Sequence, residues 1–254
     1  MARGVGEPAG GGLGVRVYGL GAVALGIAQV GFGSFSPDWL PVPRTITGYS
    51  IILDATATVL ALAGVAAILA RPLAPLALAL VFATGLILIH APQAAAAPAE
   101  WVSWQAIAES AAMALGGMIA GLSPFPHRHA RSIARWLRRA FGLCLIVFGI
   151  SHFVYSSQTA SLVPAWLPPS RLFWAHVTGL AQIAAGAAML TGQGVRLAAT
   201  LLTAMYLIFA VLVHLPAILA RPHDPDVWTE NAINLVLVGV AWSFRDASAA
   251  GRDP

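Results

Sequence analysis

The sequence predicts an all-α membrane protein: eight transmembrane helices as two parallel four-helix repeats, with both termini cytoplasmic. Three observations predict it. The 254-residue chain is 58% hydrophobic and 9% charged, with mean hydropathy +0.78, whereas a soluble domain carries roughly a quarter charged residues. Apolar runs near the length that crosses a bilayer core, about 20 residues, recur along it. Several distinctive segments occur twice in the same order, the mark of an internal repeat.

The expected spans are 17–35, 46–70, 73–91, 104–122, 140–157, 172–191, 197–219 and 228–244. The first run is about 19 residues, longer than a signal-peptide apolar region, and no Ala-x-Ala site follows it closely. It reads as a retained helix. Breaks fall at Pro37–Pro43, Arg71-Pro72, Pro92–Pro98, Ser123–Arg139, Gln158–Ser170, Gly192–Arg196 and Arg221–Pro225. The last span is short and opens on polar residues.

All 14 cationic residues are arginines. Eight spans put Arg3, Arg16, Arg71, Arg128, Arg131, Arg135, Arg138, Arg139, Arg196, Arg245 and Arg252 on the side of the termini. Arg44, Arg171 and Arg221 lie opposite. The excess places both termini in the cytoplasm of a bacterial-type inner membrane. The basic pI of about 10.0 is therefore a topology signal, and no nucleic-acid partner is expected. The basic stretch His127–Arg139 is positioned to touch anionic headgroups. The single Cys144 excludes an intrachain disulfide.

The repeat is legible residue by residue. Gly26–Arg44 reads GIAQVGFGSFSPDWLPVPR, and Gly149–Arg171 reads GISHFVYSSQTASLVPAWLPPSR. Trp-Leu-Pro thus recurs, with Trp39, Pro41 and Arg44 matched by Trp166, Pro168 and Arg171. LILIHAP, with His90, is matched by AVLVHLP, with His214. Trp104 and Trp228 follow each in turn. Each unit has an even number of spans, so the copies share one orientation. The chain divides into a disordered tail (1–16), a diverged four-helix repeat (17–122), a basic linker (123–139), a second repeat (140–245) and a C-terminal tail (246–254). Tryptophan at each turn is expected to sit at the membrane interface.

The second repeat resembles the DoxX-like membrane family, a four-helix integral membrane unit. The resemblance rests on His152-Phe153, on Val163-Pro164-Ala165-Trp166-Leu167-Pro168 and on Thr178-Gly179. It covers 140–245, and 17–122 less well: Gln29 stands where His152 does, and Ser36-Pro37-Asp38 replaces Val163-Pro164-Ala165. The resemblance implies a redox link, since some family members are subunits of a thiosulfate:quinone oxidoreductase or associate with oxidative-stress enzymes. Distant relatives include eukaryotic cargo receptors and receptor-assembly factors.

Ionisable groups inside spans are costly and so mark candidate sites. In the second repeat these are His152, His176, His214 and Glu230, joined by Gln182, Asn231 and Asn234. In the first they are Asp54, His90 and Glu109, joined by Gln29 and Tyr49. The ionisable ones lie toward the extracytoplasmic ends of their helices. Asp54 and Glu109 are expected to face each other, a histidine or a cavity. A cluster of His152, His176, His214 and Glu230 suits a quinone headgroup, with a metal or haem as alternatives. Equally, His90 and His214 precede x-Pro, where a histidine bonds freed carbonyls, and His152 with His176 suits a structural clamp. The leading expectation is a redox-associated, quinone-interacting component with a partner enzyme. The others are a membrane adaptor docking partners through the Trp-Leu-Pro face, and an ion or small-molecule transporter using Asp54 and Glu109.

Overall fold

The computed structural model describes residues 12–36, 39–122 and 129–250, and these form helices joined by turns, with no strand. In chain order the helices are α1 (Leu13–Phe32), α2 (Tyr49–Ile68), α3 (Ala74–Ala96), α4 (Trp101–Leu122), α5 (Ala130–Val154), a short α6 (Ser156–Leu162), α7 (Arg171–Thr191), α8 (Val195–Ala220) and α9 (Pro225–Ala250). Arg3, Arg128, Arg252, Pro37 and Asp38 lie outside the described residues. Seven helices, α1–α5, α7 and α8, are long and apolar enough to cross a membrane.

The eighth expected span is the middle of α9, which falls outside that apolar set. Its position explains why. α9 packs against α1, α4 and α8, burying Val236, Val240, Ala241 and Phe244 together with Thr229, Asn234 and Ser243. A helix enclosed by protein has little lipid to satisfy and can carry polar residues. At about 1.5 Å per residue its 26 residues extend about 39 Å.

Several boundaries differ from the apolar runs. α5 begins at Ala130, so the second half of the basic segment is helical. Arg131, Arg135 and Arg139 are exposed at four-residue spacing while Leu137 is buried, so the charges mask an amphipathic helix start. α6 occupies part of an expected loop, and α1 and α9 extend into the expected tails. Pro92, expected as a helix stop, sits inside α3, and Pro216 sits inside α8. The chain passes them through π-helical turns at Leu86–His90 and Ala210–His214, where Ala91 N–H bonds Leu86 O and Leu215 N–H bonds Ala210 O. Proline lacks an N–H and crowds the carbonyl four residues back; the wider turn moves that carbonyl aside, and the helix continues.

The packing order closes a ring: α1, α2, α3, α4, α5, α7, α8, α9 and back to α1, with α4 and α9 touching across its centre. Exchanging the repeats maps this ring onto itself. The crossings repeat too. A Cβ on Gly19 or Gly64 would lie 2.5 or 2.7 Å from the other's carbonyl oxygen, and Gly142 and Gly186 form the matching pair at 2.8 and 2.7 Å. Seven residues along, Gly149 faces Gly179 as Gly26 faces Ala57. Small residues therefore set both antiparallel crossings. The seam between repeats is asymmetric: Gly21 and Gly239 let α1 and α9 approach closely, their would-be Cβ atoms 2.5 and 2.3 Å from backbone nitrogens.

Two helix starts are capped by side chains: Ser170 Oγ accepts from Phe173 N–H at 3.1 Å, and Asp224 Oδ1 accepts from Asp226 N–H at 3.0 Å. Ser170→Ala is expected to cost about 1 kcal/mol, read as a small fall in melting temperature in detergent.

Candidate functional site

The candidate polar residues lie toward the end of the bundle that carries the Trp-Leu-Pro turns. Three helix starts at this end share one device. Trp104, Trp174 and Trp228 each stand three residues into their helix. Each indole N–H donates to a carbonyl six residues earlier: Pro98 at 2.9 Å, Pro168 at 2.7 Å and Pro222 at 3.0 Å. The proline that cannot donate thus supplies the acceptor that fixes the next helix.

The two Trp-Leu-Pro turns differ. Trp166 is 70% exposed, as an interface residue would be, but Trp39 is only 7% exposed. Its ring meets Phe82 edge-on at 6.2 Å. Ser36 Oγ donates to Asp226 Oδ1 at 2.6 Å, and Phe35 N–H bonds the Tyr49 hydroxyl at 3.1 Å. The first turn is folded into the protein and tied to the opposite repeat, which corrects the expectation that both tryptophans sit at the membrane interface. Arg44 and Arg171 are both exposed; Pro41 is half-buried and Pro168 exposed. The second turn borders a groove of about 320 Å³ lined by Val163, Trp166, Arg171, Leu212, Val213 and Pro216. None of the expected polar site residues lines it.

His152 and His176 join α5 to α7. His152 Nδ1 lies 2.9 Å from Ala175 O and 3.0 Å from Thr178 Oγ1. A carbonyl has no proton to give, so Nδ1 is the donor. Ser156 donates to Phe153 O at 2.7 Å, which commits its one proton and leaves its oxygen to accept from His176 Nε2 at 3.1 Å. His176 stacks on Phe153, ring centroids 5.0 Å apart. Gly179 leaves room for His152: a Cβ there would meet the His152 Cβ at 2.7 Å. The His-Phe and Thr-Gly pairs are thus two halves of one helix–helix clamp. His152→Leu is expected to cost about 1–2 kcal/mol, read as a lower melting temperature.

His214 belongs to a different group. Its Nδ1 is 4.0 Å from Glu230 Oε2. Glu230 also couples electrostatically with Glu109 of α4, and Glu109 with Tyr206 of α8. Asn234 donates to Tyr206 O at 2.8 Å. The Tyr206 hydroxyl, His214 Nδ1 and the Asn231 side-chain oxygen are buried without hydrogen-bond partners. The π turn Ala210–His214 separates Tyr206 from His214 and sets the facing of the imidazole. Two carboxylates, an imidazole and a phenol are thus coupled along the contacts that α4 and α8 each make with α9. Among the described residues no three His, Cys, Asp or Glu side chains are grouped to hold a metal ion.

The remaining residues are dispersed. Asp54 is exposed on α2, and the carboxylate that interacts with Glu109 is Glu230. Gln29 is buried with both amide atoms unpaired, and Gln182 with its oxygen unpaired. His90 is 1% exposed, and neither ring nitrogen makes a hydrogen bond of good geometry, although Gln93 approaches it. Sequence reasoning missed Tyr206 and the Ser36–Asp226 tie. Tyr206 carried a signal: it is the one tyrosine in the middle of the apolar 197–219 run.

Part of the chain matches a described family. The model of a domain of unknown function, DUF8561, matches residues 141–245. The match coincides with the second repeat, α5 to α9. No curated protein matches the chain, and no solved structure does.

Proposed function

We propose that this is a DoxX-like inner-membrane protein that crosses the bilayer eight times, with both termini cytoplasmic, and serves as a redox-associated, quinone-interacting component beside a partner enzyme. The observation that carries the reading is the coupling of Glu109 to both Tyr206 and Glu230, with His214 4.0 Å from Glu230. A quinone headgroup presents two carbonyl acceptors and takes up protons on reduction. An imidazole, a phenol and carboxyls are the side chains that donate to such carbonyls and move protons. Buried groups that lack partners, Tyr206 Oη and His214 Nδ1, are the donors available to it. The His152–His176 clamp holds α5 and α7 in place around that region.

The test is a solvent extract of the purified protein, read by mass spectrometry alongside its absorbance spectrum. Bound quinone is expected in the wild type, lost in His214→Ala and kept in Asp54→Asn. Wild-type protein without quinone overturns the reading. Topology has its own check: a reporter after Pro254 should read cytoplasmic, and one at Gln158 extracytoplasmic.

A second reading, an adaptor, is favoured by the exposed Trp166 beside its apolar groove. It expects a fixed partner that co-purifies with the wild type and is lost in Trp166→Ala, with no quinone in either.

A further inference from the structure

The opposite end of the bundle carries a cavity of about 1170 Å³ between the start of α5, the α7–α8 turn and the end of α9. Four guanidinium groups line it: Arg131, Arg135, Arg138 and Arg196. No carboxylate of a described residue does. Asp246, next to the lining residue Ala247, is bonded to Arg245 at 3.1 Å and also interacts electrostatically with Arg196. Arg245 in turn stacks on Trp242 at 4.3 Å and reaches Thr200. Arg138 is fixed in place by donating to Met189 O, the carbonyl end of α7. Its charge is crowded by Arg135 and Arg139. Four cations share a concave wall lined by no carboxylate of a described residue; they repel one another, and an anion in the cavity relieves that repulsion.

The surroundings indicate what carries the anion. Leu197 lines the cavity and is exposed, and Leu201, one turn further along α8, is exposed as well. Trp136 is exposed on α5 with the Arg139 guanidinium 5.3 Å from its ring, an arrangement suited to headgroup depth. Phosphate donors therefore sit directly above a strip fit for acyl chains. Arginine's planar fork matches phosphate oxygens two at a time. Basic pockets between membrane helices take anionic headgroups in this way.

We propose that this cavity binds the phosphate headgroup of an anionic phospholipid, held by Arg131, Arg135, Arg138 and Arg196 with the chains along Leu197 and Leu201. The site is independent of the quinone reading and requires only that the bundle lie in a bilayer.

The experiment is native mass spectrometry of the full chain in mild detergent, titrated with phosphatidylglycerol, phosphatidylcholine or inorganic phosphate. Phosphatidylglycerol is expected to bind at least tenfold more tightly than phosphatidylcholine, less so as salt rises. Arg131→Gln and Arg135→Gln, both at exposed positions, are each expected to weaken it about fivefold. Arg139→Gln removes the same charge from the same helix outside the cavity and is expected to change it less than twofold. Equal binding of the two lipids overturns the proposal, as does an Arg139→Gln effect equal to that of Arg135→Gln. Displacement of phosphatidylglycerol by inorganic phosphate at equal concentration overturns the lipid assignment and leaves a free-phosphate site. The lipid comparison uses unmodified protein, so it stands even where a variant fails to fold.

Discussion

Leucine in place of Gly149 is expected to remove folded protein from the membrane, while leucine in place of Gly31 is expected to leave it there. A Cβ on Gly149 would lie 2.5 Å from the carbonyl oxygen of Gly179 and 2.5 Å from Ile183 Cγ1. The first of these is backbone on another helix and cannot swing away. α5 and α7 would have to separate along their length, breaking the His152–Ala175 and His152–Thr178 contacts at the same crossing. Inserting methylenes into a close-packed contact costs about 1–3 kcal/mol, and more where backbone must move; a four-carbon side chain here is expected at or above the top of that range. Typical native stabilities are only about 5–15 kcal/mol. Gly31 has nothing within 4 Å of its would-be Cβ, and a leucine there meets open space. Size-exclusion profiles of detergent extracts, followed by thermal unfolding of whatever elutes, compare the two. A Gly149→Leu profile and melting point matching the wild type would show that the crossing is looser than its geometry.

How much of this was legible beforehand follows from which interactions are local. The seven apolar helices and the repeat were readable, because span length and recurring segments are properties of the chain itself. Helix ends were misjudged where charge or proline hid the periodicity: Arg131, Arg135 and Arg139 masked the start of α5, and Pro92 suggested a stop where the backbone instead widens into a π turn. The polar residues were found, but their grouping was not. The sequence comparison paired residues within a repeat, and so joined His152, His176 and His214. In the structure the His152–His176 clamp is a property of the α5–α7 crossing. The electrostatic coupling of Glu109 with Glu230 instead crosses between repeats. Glu109 and Glu230 also stand at different places in their repeats: by the spacing that relates Trp104 to Trp228, Glu109 corresponds to Ile233, and Glu230 to Ala106. No internal comparison could pair them. The site at the α4–α9 contact is made once, from both copies, as is the Ser36–Asp226 tie, whereas the His152–His176 clamp is made by one copy alone.

That single, shared site gives the second large effect. Glu109→Gln is expected to raise thermal stability and abolish quinone binding together. In the wild type burial makes the Glu109 carboxylate costly on its own, and Glu230 of α9 adds a smaller like-charge repulsion. Glutamine keeps the volume and a hydrogen-bonding end and removes one charge. The gain is expected to be about 1–2 kcal/mol, which for a chain of this size is about 2–8 °C. Strain of this kind persists at functional sites because function needs it. Glu230→Gln should relieve the same repulsion but also weakens the contact with His214 at 4.0 Å, so its gain should be smaller. The double variant distinguishes the cause: once one charge is gone, neutralising the second relieves no further repulsion, and the two gains should fall short of additive. A lower melting temperature in Glu109→Gln would make this carboxylate a structural group satisfied by its neighbours, and bound quinone surviving in the variant would place the headgroup elsewhere in the bundle.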